Sequence, residues 1–146
     1  LFIGPKSHIT ARYTIHDGER SERQMSSGIL VATPAGSTGW ISSLFNQTRG
    51  IARFQGDASP LAGMRLEWED QKLVYMVREP FASKWSKTEI VAGVIEGTNS
   101  IRVESHMSES GVIFSDGMES DFIQFNTGSV ARIGIAEKST TLVVKF

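Results

Sequence analysis

Between residues 26 and 40 the chain reads Ser26-Ser27-Gly28-Ile29-Leu30-Val31-Ala32-Thr33-Pro34-Ala35-Gly36-Ser37-Thr38-Gly39-Trp40, an apolar run that breaks into hydroxyls and glycines and ends on an aromatic. These residue types suit close approach to a planar, polar ligand. Thr33, Ser37 and Thr38 bring hydroxyls that donate and accept, and Trp40 offers a flat face for a ring. Gly36 and Gly39 leave backbone N–H groups open to a ligand with no side chain in the way. The same composition also suits an ordinary turn between a strand and a helix, so the residues alone leave both readings open.

The elements that must hold this loop are legible around it. Ile29, Leu30 and Val31 read as a short buried strand, and Pro34 stops that strand from continuing. Residues 40–48 read as a short helix with Trp40, Leu44 and Phe45 turned inward and Gly50 closing it. Upstream, Ile9, Ala11, Tyr13 and Ile15 alternate with polar residues over 8–15, the period of a half-buried strand. Asp17-Gly18 then signals a hairpin, with a polar strand returning over 19–25. Downstream, residues 50–63 read as a loop, Met64, Leu66 and Trp68 alternate, and the apolar run 73–77 could pair back on them.

Further short strands are expected at 89–95, 100–105, 111–115, 121–125, 129–136 and 140–146, separated by turn residues. Many short strands with at most one or two short helices predict an all-β fold, an antiparallel β-sandwich, in a single domain over residues 1–146. Leu1-Phe2-Ile3 reads as the end of a strand already under way, which suggests a chain cut from something longer.

Other chemistries find less support. His8 and His16 share one face of the 8–15 strand, but eight residues of strand place them about 26 Å apart, too far to share a metal. His106 lies near Ser105 and Ser108, yet no carboxylate at suitable spacing would orient it for nucleophilic catalysis. Arg49 and Arg53 could meet a phosphate only if a helix ran through Gly50. Fifteen basic against 16 acidic residues, with no long block of either sign, argue against a grip on nucleic acid or an acidic membrane. There is no cysteine, hence no disulfide or thiolate site, and no apolar run of membrane-spanning length; cytoplasmic location is the expectation.

The stretch Thr33-Pro34-Ala35-Gly36-Ser37-Thr38-Gly39-Trp40 resembles the Thr-Pro-Thr-Gly-Ser-Thr-Ala-Tyr signature of the NAD kinase family, with Thr33, Pro34, Gly36, Ser37 and Thr38 identical. Later, Val112-Ile113-Phe114-Ser115-Asp116-Gly117 resembles the strand and Asp-Gly turn late in that family's C-terminal domain. Between them, Val77-Arg78-Glu79-Pro80-Phe81 resembles a segment with an Arg-Pro pair, interrupted here by Glu79. Two departures are Ser27, where the family usually has aspartate, and Met118, where it usually has a polar residue.

The resemblance implies the C-terminal, dinucleotide-binding β domain of a phosphotransferase that phosphorylates the 2′-hydroxyl of NAD to give NADP. It implies substrate contacts from Thr33, Ser37, Thr38, Gly39, Trp40 and Asp116, and no catalytic residue or metal ligand in this chain. The phosphoryl donor, ATP or polyphosphate with Mg2+, would be held mainly by the protein's own N-terminal α/β domain, whose Gly-Gly-Asp-Gly motif this chain lacks. The chain alone would then be inactive, and the β domain would support a homo-oligomer. Two alternatives stand beside this: a non-catalytic β domain for nucleotide binding or oligomerisation, and a related kinase acting on another hydroxyl such as that of a lipid.

Overall fold

Two kinds of strand pattern run through the chain, and the computed structural model, which describes residues 1–57, 66–118 and 120–138, gives the reason. β1 (Phe2–Pro5) and β4 (Ile29–Ala32) are buried at every position. β2 (Ala11–Asp17), β3 (Arg20–Ser26) and β7 (Ser100–Ser105) alternate between buried and accessible residues. Alternation marks a strand with one wet face, and an unbroken run marks a strand covered on both. With β5 (Lys72–Val77), β6 (Ala92–Glu96), β8 (Gly111–Phe114), β9 (Ile123–Gln124) and β10 (Val130–Gly134), these strands make two sheets. One has six strands in the order β6-β5-β4-β1-β8-β9 and the other four in the order β10-β7-β2-β3. All the pairings are antiparallel among the described residues.

The sheets bury one core between them. Ile3, Ile29, Val31, Tyr75, Val77 and Ile95 of the larger sheet meet Ala11, Tyr13, Ile15, Ile101 and Val103 of the smaller. The back of the larger sheet is covered by α1 (Trp40–Phe54). Its Ile41 and Phe45 pack with Ala32, Val74 and Leu66, and its Leu44 with Phe2, Leu30 and Val112. β1 and β4 thus lie between two apolar layers, which is why they read as continuous runs. The expected all-β fold is what forms, with α1 as its one α-helix among the described residues.

The helix differs from the sequence expectation. It runs for 15 residues, straight through Gly50, and Trp40 at its start is 48% exposed rather than turned inward. Gly50 is on the wet side with open space where a Cβ would be, so it costs the helix propensity without breaking it. The true stop is Gly56, at φ +85, which takes the left-handed conformation past the C-cap Gln55. Arg49 and Arg53 do share this longer helix, where Arg49 donates to Asn46 at 3.0 Å.

Strand edges also move. Residues 8–10 lie outside β2, and residues 89–91 precede β6. The run at β5 pairs with β4 and β6. The expected strand 140–146 and the residues around Met64 lie outside the described residues.

The polar returning strand, β3, turns its polar residues inward. Glu22, Gln24 and Ser26 are buried. The Glu22 carboxylate accepts from the backbone N–H groups of Glu89 and Ile90, at 3.2 and 2.9 Å, and from the Gln24 amide, which also donates to the Ile90 carbonyl. Phe81 and Lys87 donate their backbone N–H groups to Met25 and Arg23. The connection from β5 to β6 is therefore strapped along β3, the edge strand of the smaller sheet, covering an edge that would otherwise be open.

Candidate ligand cleft

A cleft of roughly 810 Å³ opens where β1, the start of β4, the start of α1 and the segment after β5 converge. Its position follows from local backbone needs. Gly28 sits at φ +110, and a Cβ there would lie 2.7 Å from the Ile3 carbonyl oxygen, so only glycine lets β4 start this close to β1. The Gly28 N–H donates to Ser26 Oγ at 2.9 Å, and Ser26 Oγ lies 2.8 Å from the Tyr13 hydroxyl deep in the core. Ser27 and Arg78 are then locked together: Ser27 N–H donates to the Arg78 carbonyl at 2.9 Å, and Arg78 N–H to the Gly28 carbonyl at 2.8 Å.

The floor of the cleft is aromatic. Phe2 stacks on Trp40 with centroids 5.6 Å apart and an interplanar angle of 15°, and tilts against Phe114 at 5.0 Å. The rim is charged, mostly positive. The Arg78 guanidinium lies 4.8 Å from the Trp40 ring centroid, and Lys6 Nζ 4.5 Å from that of Phe122. His8 and Thr10 extend the same wall, and Glu79 is the one carboxylate among the lining residues. Phe2 stacks on Trp40 and the Arg78 guanidinium lies over the same ring, so a planar ligand group would meet the indole at its free edge or stack on the guanidinium. The arrangement can hold an aromatic ring against Trp40 and an anionic group against Arg78 and Lys6.

Of the residues singled out by sequence, His8, Ser27, Trp40 and Arg78 line this cleft. Thr33, Ser37, Thr38 and Gly39 form the adjoining turn, a short 3-10 segment (Ala35–Thr38) leading into α1. Thr33 Oγ1 accepts from the Gly36 N–H at 3.3 Å, and the buried Ser37 donates its hydroxyl to the Pro34 carbonyl at 2.7 Å. Thr38 is exposed, and Gly39 donates its N–H to the Gly36 carbonyl at 3.1 Å. Two of the three loop hydroxyls thus bond within the turn itself.

Asp116 lies past β8, outside the lining of the cleft. With Gly117 it forms a tight turn in which both residues have positive φ and Met118 N–H donates to the Ser115 carbonyl at 3.0 Å. Sequence reasoning passes over Phe2, Lys6 and Glu79 as site residues. The available signal was the Arg78-Glu79-Pro80 interruption directly after an apolar strand.

His16 and His106 take structural places. His16 Nε2 pairs with Glu104 at 3.1 Å beside Arg102, and His106 Nε2 lies 2.8 Å from Thr14 Oγ1. Ser105 donates its hydroxyl to the Phe125 carbonyl. Among the described residues no group of three or more His, Asp or Glu side chains is placed to hold a metal ion, and no helix is long and apolar enough to cross a membrane.

Fold and cleft together define a two-sheet antiparallel β domain with a helix laid on its larger sheet and a ligand-sized cleft at one end of that helix. Over 93% of its length the chain is similar to an NAD kinase from Archaeoglobus fulgidus solved in complex with ATP, at a TM-score of 0.60 and 17% sequence identity. The chain spans 44% of that protein's chain, and at this identity the likeness is one of fold. No protein-family model matches the chain, and no curated protein matches it.

Proposed function

We propose that this chain is the dinucleotide-binding β domain of an NAD kinase-like phosphotransferase, which moves a phosphoryl group onto the 2′-hydroxyl of NAD. The observation that carries the reading is the cleft in which Trp40, stacked on Phe2, stands beside Arg78 and Lys6. An adenosine ring set against the Trp40–Arg78 pair would bring its phosphates toward Lys6 and the Arg78 side chain. The fold likeness to an NAD kinase supports the same assignment.

In this reading the chain binds and orients. Phosphoryl transfer depends largely on positioning and charge stabilisation, so a domain that fixes the ribose contributes to rate without holding the base. Among the described residues no group of three or more His, Asp or Glu side chains is assembled, and neither a metal-bound step nor a donor-binding step is assigned to the chain in this reading. Those parts, and the ATP or polyphosphate donor, belong to the rest of the protein.

Calorimetric titration of NAD, NADP and ATP into the chain tests the assignment. NAD or NADP should bind, and Trp40→Ala should weaken that binding about tenfold or more, the range for losing one base-stacking aromatic. Thr38→Val should weaken it less, because it removes one exposed hydroxyl. Absence of nucleotide binding, or binding indifferent to Trp40, would count against the site.

A further inference from the structure

Glu79 is one of two non-glycine residues among those described with a left-handed backbone, at φ 48. Pro80 follows it, and a residue before proline is disfavoured in the right-handed helical region. Nothing forces a glutamate into the left-handed one. Glycine would adopt it without strain, and a strained non-glycine residue at a cleft points toward function. The conformation has a definite result: it returns the side chain to the start of β4, where the carboxylate accepts the Ser27 hydroxyl. Oε2 takes that bond; Oε1 stands on an exposed residue at the rim.

The charge is as informative as the backbone. Lys6 and Arg78 make the rim cationic, which suits phosphate, whereas a carboxylate there repels phosphate and can only accept hydrogen bonds. It therefore fits a part of the ligand that carries donors and no charge. A nucleotide offers neutral donors on the amine or amide of its base and on its ribose, and of these the pair of ribose hydroxyls presents two adjacent O–H donors to one carboxylate.

We propose that Glu79, oriented by Ser27, is a specificity-determining residue that selects ligands with a free ribose diol, while Arg78 and Lys6 take the phosphates. This rests on the nucleotide reading above.

The experiment compares the affinity of the chain for NAD and for its 2′,3′-dideoxyadenosine analogue, with melting temperatures measured in parallel, in the native sequence and in Glu79→Gln and Glu79→Gly. The native chain should prefer NAD at least tenfold. Both variants should reduce that ratio below about threefold by losing affinity for NAD alone, and Glu79→Gly should melt no lower than native because it removes the strain. A merely structural role would weaken both ligands together and leave the ratio unchanged, which would overturn the proposal. If the native chain binds both nucleotides equally, the diol selection is likewise overturned while the nucleotide site stands. If it binds neither, the nucleotide reading itself fails.

Discussion

Two tyrosine hydroxyls hold buried polar links that chemistry at high pH should expose. Tyr13 and Tyr75 are fully inside the core; Tyr13 meets Ser26, and Tyr75 donates to Asp17 at 2.7 Å. Burial raises both phenol pKa values well above the usual range, and for Tyr75 the bond to Asp17 raises it further. The folded state then keeps protons that the unfolded state releases near pH 10. Their contribution is complete below about pH 10 and declines as pH rises beyond it. Urea denaturation between pH 8 and 11 should show stability falling at the alkaline end, and Tyr13→Phe and Tyr75→Phe should each flatten the fall. Gly28 is a second residue whose replacement has a forced sign. Gly28→Ala puts a Cβ 2.7 Å from the Ile3 carbonyl oxygen at φ +110, and chemical denaturation should read a loss of roughly 2 to 4 kcal/mol. At this scale the place of Trp40 in the cleft lining was legible, since an aromatic after a glycine-hydroxyl loop is a local signal. The Ser27–Glu79 pair was not, because it joins residues 52 apart and no local pattern announces a partner that distant.

Among the elements, α1 shows where pattern reading goes astray. Gly50 and Gly56 are both stop signals on paper, and only the backbone distinguishes them: Gly56 has positive φ and Gly50 does not. Gly50→Ala should therefore stabilise the chain by about 1 kcal/mol, because a Cβ there meets nothing within 4 Å and helix propensity alone decides. A thermal melt checks it; destabilisation would mean that α1 is broken at Gly50 after all. The β2–β3 hairpin was legible down to its turn, with Asp17 opposite Arg20. The inward polar face of β3 was hidden, since Glu22, Gln24 and Ser26 look like a solvated strand unless the covering segment is known. Burial of a carboxylate follows from its partners, here two backbone N–H groups 67 and 68 residues away.

The whole molecule divides its chemistry between its layers. The smaller sheet and the inner face of the larger one make the core, and the helix side of the larger sheet makes the cleft. Sequence could read a sandwich from strand count and turn spacing. It could not read the sheet order, since β1 lies between β4 and β8, partners from opposite ends of the chain. The strap between β5 and β6 joins these layers in a particular way. At its start it supplies Arg78 and Glu79 to the cleft; at its end it supplies the backbone N–H groups that Glu22 holds. One wall of the cleft is thus anchored through an edge strand that does not line it. The strap's long-range contacts cost more chain entropy than the local β2–β3 hairpin, so pulse-labelling hydrogen exchange should protect the hairpin before the strap. The cleft would then be finished by the segment that arrives last.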